Sequence, residues 1–439
     1  MTFVRPARRV LIAAVSLSAL LVAAACGGGG DDPGSGTATD AAADLTKQGP
    51  IQVWQGKDQP GYFPKLVKRF NDSHPQGQVE FKELPDSADA QRAQMIQNTQ
   101  IKNPQMAVLS VDVVWTAEFA AKGYIEELPK DQFPTDTFLP ATVASATYFN
   151  KLYAYPSTSD GGLLYYRKDL LDKYSVEVPK TFDEMKAACE KIQAGENDSK
   201  LNCFAGQYNK YEGLTVNFAE AVNGAGGVIV GDDGKPNVAT PEAIKGLSTL
   251  AEWFKDGTIP KGAITWQEDQ GRQAFGNATL IFHRNWGGTY SQLAKTDGSS
   301  KVVGKFATAP LPGIAGPGTG VSSLGGHNYA LAKNAENKGT AIDFIKFMSS
   351  PEVQKDNALN VASAPAIASL YTDADLTKKF PVYPTLIKSI ESAKPRPIAV
   401  EYGDVTLAIQ DAAYGALQGQ TAPDAALQAL QGKLETLIK

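Results

Sequence analysis

Histidine and cysteine are scarce in this chain, with three of each in 439 residues. His74, His283 and His327 are spaced for neither a helical nor a hairpin metal pair, so no metal and no cofactor is expected. The sequence has no G-x-x-x-x-G-K-[ST] loop, no H-E-x-x-H helix and no G-x-S-x-G turn. The short motifs of phosphate-loop hydrolases, zinc proteases and serine hydrolases are therefore missing. Gly224, Gly226 and Gly227 follow a helical pattern and read as a turn, not as a dinucleotide fingerprint. Net charge is −5 with no dense basic patch, which argues against a nucleic-acid partner. No stretch reaches the roughly 18 uninterrupted apolar residues of a membrane span.

What is present begins at the N-terminus. Arg5, Arg8 and Arg9 precede an apolar and small-residue run over positions 10–25. As a helix those residues would rise about 24 Å, short of a hydrocarbon core of roughly 30 Å. A basic start, a short apolar run and small residues at its end make 1–25 an export signal. Cys26 follows Ala23-Ala24-Ala25 and resembles a bacterial lipobox cysteine, which becomes the lipidated N-terminus; the usual Leu sits further upstream, at Leu21. The glycines at 27–30 and the polar residues after them make 26–49 a lipidated Cys and flexible tether. The expected location is extracytoplasmic, on the outer face of the bacterial cell membrane, held by a lipid anchor alone.

The remainder is long enough for two domains, and 43% hydrophobic with 20% charged residues is an ordinary globular composition. In an oxidising compartment Cys189 and Cys203 read as a disulfide. Apolar periodicity predicts strands at 51–54, 78–81 and 106–110, alternating with helices at 60–74, 88–102 and 113–122, the last stopped by Gly123. That order predicts an α/β fold with a largely parallel sheet. Two short strands at 151–155 and 162–166 flank Pro156-Ser157-Thr158-Ser159-Asp160-Gly161, a stretch suited to a crossover or hinge. Thr181 and Glu184 form a capping box, and Thr240, Pro241 and Gly257 bound a helix over 241–256. Further strands are expected at 278–282, 301–308 and 328–331. Helices are expected at 211–223 and 338–348, with a largely helical end.

Aromatic and polar residues cluster at predicted strand ends and loops. Trp54-Gln55 closes the first strand and Asp112 follows the third. Glu212 opens a helix, Trp266 lies in a loop, and Asn285-Trp286-Gly287-Gly288 follows a strand. Gly325-Gly326-His327-Asn328 precedes one, and Arg396 lies between two prolines. Open α/β sheets bind ligands outside the carboxyl ends of their strands. Aromatic faces stack on the C–H faces of sugars, while Asp, Glu, Asn and Arg bond hydroxyls, and every buried polar group must be paired. Trp115 and Trp253 fall on helices and read as core.

Several longer segments carry a family resemblance: Asp112-Val113-Val114-Trp115-Thr116-Ala117-Glu118, Asn150-Lys151-Leu152-Tyr153-Ala154-Tyr155-Pro156, Gly162-Leu163-Leu164-Tyr165-Tyr166-Arg167-Lys168-Asp169, Tyr211-Glu212-Gly213, Arg284-Asn285-Trp286, Gly325-Gly326 and Arg396-Pro397. Over nearly the whole mature chain the sequence resembles the extracellular solute-binding proteins of ABC sugar importers, in the maltose-binding-protein-like, trehalose/maltose-type group. The resemblance implies a two-lobed periplasmic-binding-protein-like fold whose ligand cleft lies between lobes joined by crossover strands. One lobe would be 50–157 with 322–358, the other 161–308 with 365–439. It implies ligand-binding roles for Asp112, Glu212, Trp286, Gly325, Gly326 and Arg396. Asp160 stands where relatives carry Asn, and Gly287-Gly288 stand where they often carry Pro and Tyr. The expected function is capture of a small oligosaccharide, an α-glucosidic disaccharide of the trehalose or maltose class. A monomer would deliver it to the transmembrane permease subunits without covalent chemistry. The alternatives are a binding protein for a polar solute such as a glycerophosphodiester, an exported glycoside hydrolase, and a structural surface lipoprotein.

Overall fold

The computed structural model describes residues 45–58 and 61–438. The expected export signal, Cys26 and most of the tether lie outside them. Ten strands occur among the described residues: β1 Ile51–Gln55, β2 Val79–Glu83, β3 Met106–Asp112, β4 Thr147–Tyr148, β5 Lys151–Leu152, β6 Tyr155–Arg167, β7 Asn202–Ala205, β8 Leu280–Trp286, β9 Phe306–Ala309 and β10 Leu324–Leu331. Eight of them form one sheet in the order β2-β1-β3-β10-β6-β8-β7, with β9 also paired to β6. β4 and β5 make a separate hairpin.

The sheet is parallel at its ends and antiparallel where the chain crosses. β1 pairs parallel with β2 and β3, and β7 pairs parallel with β8. β10 runs antiparallel to β3 and β6, and β6 runs antiparallel to β8 and β9. The expectation of a largely parallel sheet therefore holds within each end and fails in the middle. Parallel strands need a covering crossover helix, whereas β6 and β10 pass directly between the two lobes.

The expected pair of short strands at 151–155 and 162–166 is instead one strand of 13 residues, β6. Its polar centre stays extended because it is bonded on both sides of the changeover. Tyr155 to Gly161 pair with β10, and from Gly162 onward the partner is β8. Gly326 has φ +110°, and a Cβ there would meet the Thr158 carbonyl oxygen at 2.3 Å, so this crossing of backbones requires glycine.

Other boundaries move for local reasons. The helix expected from 113 begins at Thr116, because Asp112 Oδ1 accepts from the Val114 N–H at 3.1 Å and holds the turn open. β8 starts at Leu280, after Ala278 at φ +65°. β9 starts only at Phe306, after a turn through Gly304. The 241–256 helix keeps its expected limits: Thr240 Oγ1 accepts from Ala243 N–H at 3.2 Å, and Gly257 ends it at φ +86°. Thr181 caps its helix through Glu184 N–H, but the Glu184 carboxylate accepts from Lys180 N–H instead of completing the box.

Each side of the sheet buries helices. β3 is buried along its whole length. Helix Phe63–Ser73 sets Phe63, Leu66, Val67 and Phe70 toward the core, where Phe70 meets Phe344 edge-on at 5.1 Å. Full burial of each such side chain contributes roughly 1.5–3 kcal/mol. Helix Glu212–Gly224 is buried on every face, between helices Pro241–Asp256 and Tyr402–Leu417. Cys189 and Cys203 form a disulfide, Cα–Cα 5.3 Å, joining helix Phe182–Glu196 to β7. Among the described residues no helix is long and apolar enough to cross a membrane.

Candidate binding cleft

A cleft of about 630 Å³ lies against the crossing strands, within the range of sites that hold small organic ligands. Gln55 at the end of β1, Ser157, Thr158 and Asp160 on β6, Asn285 and Trp286 at the end of β8, and His327 on β10 line it. Glu268 and Arg272 of helix Glu268–Gly276 and Gln292 of helix Thr289–Leu293 close one side. Val353 and Asn357 of helix Pro351–Val361 form part of the other.

Trp286 gives the cleft an aromatic surface, alongside Phe63 and Tyr329. The edge of its ring lies against β10: a Cβ on Gly325 would meet Trp286 Cζ3 at 2.6 Å. One face is covered by the Arg284 guanidinium, 4.0 Å from the ring centroid. Asn285 fixes the backbone at this point. Its Oδ1 accepts from Trp286 N–H at 2.8 Å, and its Nδ2 donates to the Glu268 carbonyl at 3.1 Å and to His283 Nε2 at 2.9 Å. His283 is neutral, its pKa lowered to about 4 chiefly by burial, and its Nδ1 is hydrogen-bonded to the Ala205 carbonyl at 2.9 Å. With both ends of its amide engaged, Asn285 holds Trp286 and has little left for a ligand.

Two carboxylates line the cleft with Trp286. Asp160 Oδ1 accepts from Gly161 N–H at 2.8 Å and from Gly287 N–H at 3.1 Å. Burial outweighs those bonds and raises its pKa to about 6. Glu268 accepts from the Tyr211 hydroxyl at 2.7 Å, and its pKa is likewise raised, mainly by burial. Gln55 Oε1 accepts from the Tyr329 hydroxyl at 2.9 Å, which leaves the Gln55 amide nitrogen facing the cleft wall. Gln292 Nε2 is buried with no hydrogen-bond partner.

The other expected site residues assemble separately. Arg396 Nη2 donates to Asp112 Oδ1 at 2.8 Å, and Arg396 Nη1 donates to Glu212 Oε1. Glu212 also accepts from the Tyr402 hydroxyl and, at 2.7 Å, from Thr406 Oγ1. The pKa of Glu212 is raised by burial, with Arg396 opposing. Asp112, Glu212 and Arg396 thus form a buried ionic cluster and do not line the cleft wall. Gly325 and Gly326 lie between the two groups, pairing with Asp160 and Ser159. Trp54 and Trp266 are outside the cleft: the Trp54 indole donates to Gln52 Oε1 at 3.2 Å, and Trp266 packs on the core.

Several cleft residues were not singled out from sequence. Glu268 opens a helix of unremarkable composition. His327, part of the Gly325-Gly326-His327-Asn328 cluster but given no role of its own, lines the cleft. Helix Pro351–Val361 carried a usable signal, Ser350 before Pro351, and Ser350 Oγ does accept from Val353 N–H at 3.3 Å.

A two-lobed α/β molecule with a polar, aromatic-floored cleft at its crossing strands is the form of a solute receptor. The family of bacterial extracellular solute-binding proteins matches residues 65–382, and the chain belongs to that family. A probable ABC transporter-binding protein of Deinococcus radiodurans is 32% identical over 366 residues, 81% of this chain and 86% of that one. The maltotriose-binding protein of Pyrococcus abyssi is 26% identical, over 83% of this chain and 76% of that one. The maltose-bound structure of T. maritima MalE3 is similar with a TM-score of 0.83 and 31% identity, covering 88% of this chain and 99% of that one.

Proposed function

We propose that this protein is the lipid-anchored receptor of an ABC importer, capturing a small oligosaccharide, an α-glucosidic disaccharide of the maltose or trehalose class. The observation that carries the reading is a cleft of about 630 Å³ whose lining brings Trp286 together with Asp160 and Glu268. A sugar ring would stack on the indole while the carboxylates and Gln55 bond its hydroxyls, and Gln292 Nε2 would gain the acceptor it lacks. The similarity to a maltose-bound protein and to a maltotriose-binding protein supports a glucoside. Two cleft cations are already matched by acids, Lys57 with Asp86 and Arg272 with Asp269, which weighs against a phosphodiester ligand.

The lobes are assigned to 50–157 with 322–358 and to 161–308 with 365–439, meeting at the crossing strands. Closure around the sugar would present a surface to the permease. Asp112, Glu212 and Arg396 would join the two lobes at the base of the cleft and take part in binding as closure proceeds. Cys26 would carry the anchor.

Intrinsic fluorescence during titration with maltose and trehalose tests the binding claim: a saturable change abolished in Trp286→Ala is expected, and no change with either sugar would refute it. Cell fractionation of Cys26→Ser tests the anchor: the variant should leave the membrane fraction, and retention there would refute lipidation at Cys26.

A further inference from the structure

Arg284 lies beneath the cleft and is almost fully buried. Its Nε donates to Glu220 Oε2 at 2.8 Å, its Nη2 to Glu220 Oε1, and its Nη1 to Gln207 Oε1 at 3.1 Å. All three nitrogens are therefore held, and the guanidinium plane is fixed. Glu220 is anchored in turn, its Oε1 accepting from Ser323 N–H at 3.1 Å. Gln207 Nε2 donates to the Arg284 carbonyl at 2.9 Å. The exposed side of this assembly is the Trp286 ring, with the guanidinium carbon 4.0 Å from its centroid.

The two crossing strands are shaped around this stack. A Cβ on Gly162 of β6 would meet Arg284 Nη2 at 2.5 Å and Glu220 Oε1 at 2.8 Å. A Cβ on Gly325 of β10 would meet the Trp286 ring at 2.6 Å. Each strand is thus open where one layer of the stack rests on it. Burying an ion pair this deeply is a poor way to gain stability, because desolvation offsets the attraction. A fixed cation beneath an indole has a clearer use. It occupies one π-face, orients the ring and leaves one face for a ligand.

We propose that Arg284, held by Glu220 and Gln207, is the positioning residue of the binding site, locking Trp286 as a one-faced platform that accepts a single sugar ring. The inference rests on the sugar-binding reading for its ligand, though the stack itself does not. Lysine would not replace Arg284, because a point charge cannot lie flat against the ring while bonding both neighbours.

The test uses the Trp286→Phe protein, which assigns the Trp286 indole resonance, and the double variant Arg284→Met/Glu220→Gln, which removes both buried charges together. Nitrogen-15 tryptophan labelling gives one indole signal for each of the five tryptophans. In the double variant the Trp286 signal should move and broaden while the signals of Trp54, Trp115, Trp253 and Trp266 stay in place. Maltose affinity should fall about tenfold or more. If that variant does not fold, Arg284→Lys supplies the test: it keeps a buried cation beside Glu220 but cannot lie flat against the ring, and the same signal should move. An unmoved Trp286 signal would overturn the proposal. So would unchanged maltose affinity with a displaced ring. A wild-type protein that ignores maltose, with the double variant still showing the expected signal change, would refute the glucoside reading and leave the positioning role upheld.

Discussion

Arg396 and Asp112 are joined by a 2.8 Å charged hydrogen bond, although 284 positions separate them in the chain. The Arg396 side chain is about 1% exposed, and Glu212 holds its other terminal nitrogen. Both acids lie on segments that precede the crossing from β10, so this one guanidinium ties the C-terminal region to two distant parts of the fold. Replacing it with an uncharged side chain leaves two buried carboxylates without their cation. Arg396→Met should cost about 3–5 kcal/mol of folding stability, read from the denaturant midpoint. A loss below about 1 kcal/mol would show that the cluster is not buried in solution.

Trp286 should matter to binding more than to folding, because its ring is only partly buried and rests on glycine. Trp286→Ala is expected to weaken maltose or trehalose binding at least about tenfold while shifting the thermal midpoint by only a few degrees. Calorimetric titration with a melting curve on the same sample checks both. Unchanged affinity would remove Trp286 from the site.

Asp160 makes binding and stability respond oppositely to pH. Its pKa is raised from 3.8 to about 6 by burial. Below the ordinary carboxylate range it is protonated in folded and unfolded chains alike, so it contributes no difference. Between about 4 and 6 the unfolded chain loses this proton first, so stability falls as pH rises through that window. Asp160→Asn should therefore raise the melting temperature at pH 7 and leave it little changed near pH 4. The ionised carboxylate accepts sugar hydroxyls better, so affinity should strengthen from pH 5 to pH 7. The Asn variant should flatten that slope, and a slope that survives would assign it to another group.

The disulfide is expected to stabilise without shaping the cleft. Cys189 and Cys203 close a short loop, and neither lines the cleft. Their joint replacement by serine should lower stability by about 3 kcal/mol. Sugar affinity should stay within about twofold. A large affinity change would mean that β7 transmits strain to β8 and Trp286.

The fold was legible wherever a signal was local. Thr240, Pro241 and Gly257 bounded their helix because caps act over one turn. β6 was misread as two strands because its continuity depends on changing partners from β10 to β8, and nothing in Ser157 or Thr158 records that. The site was half legible for a similar reason. Asp112, Glu212, Trp286 and Arg396 stood out by residue type and setting, and all lie near the crossing strands. Their division into an ionic cluster and an open cleft depends on contacts spanning most of the chain, such as Arg396 with Asp112. Arg284 and Glu268 gave no local sign of their roles, since a buried arginine beneath an indole looks from sequence like any strand residue.

The most direct test is calorimetric titration of the protein with maltose, trehalose, sucrose, glycerophosphocholine and an amino-acid mixture, followed by recovery of the sugar. The account predicts saturable, one-to-one binding of maltose or trehalose, near a micromolar dissociation constant or about −8 kcal/mol, with the disaccharide recovered intact. Binding of glycerophosphocholine alone, no heat with any sugar, or recovery of cleaved glucose would contradict it.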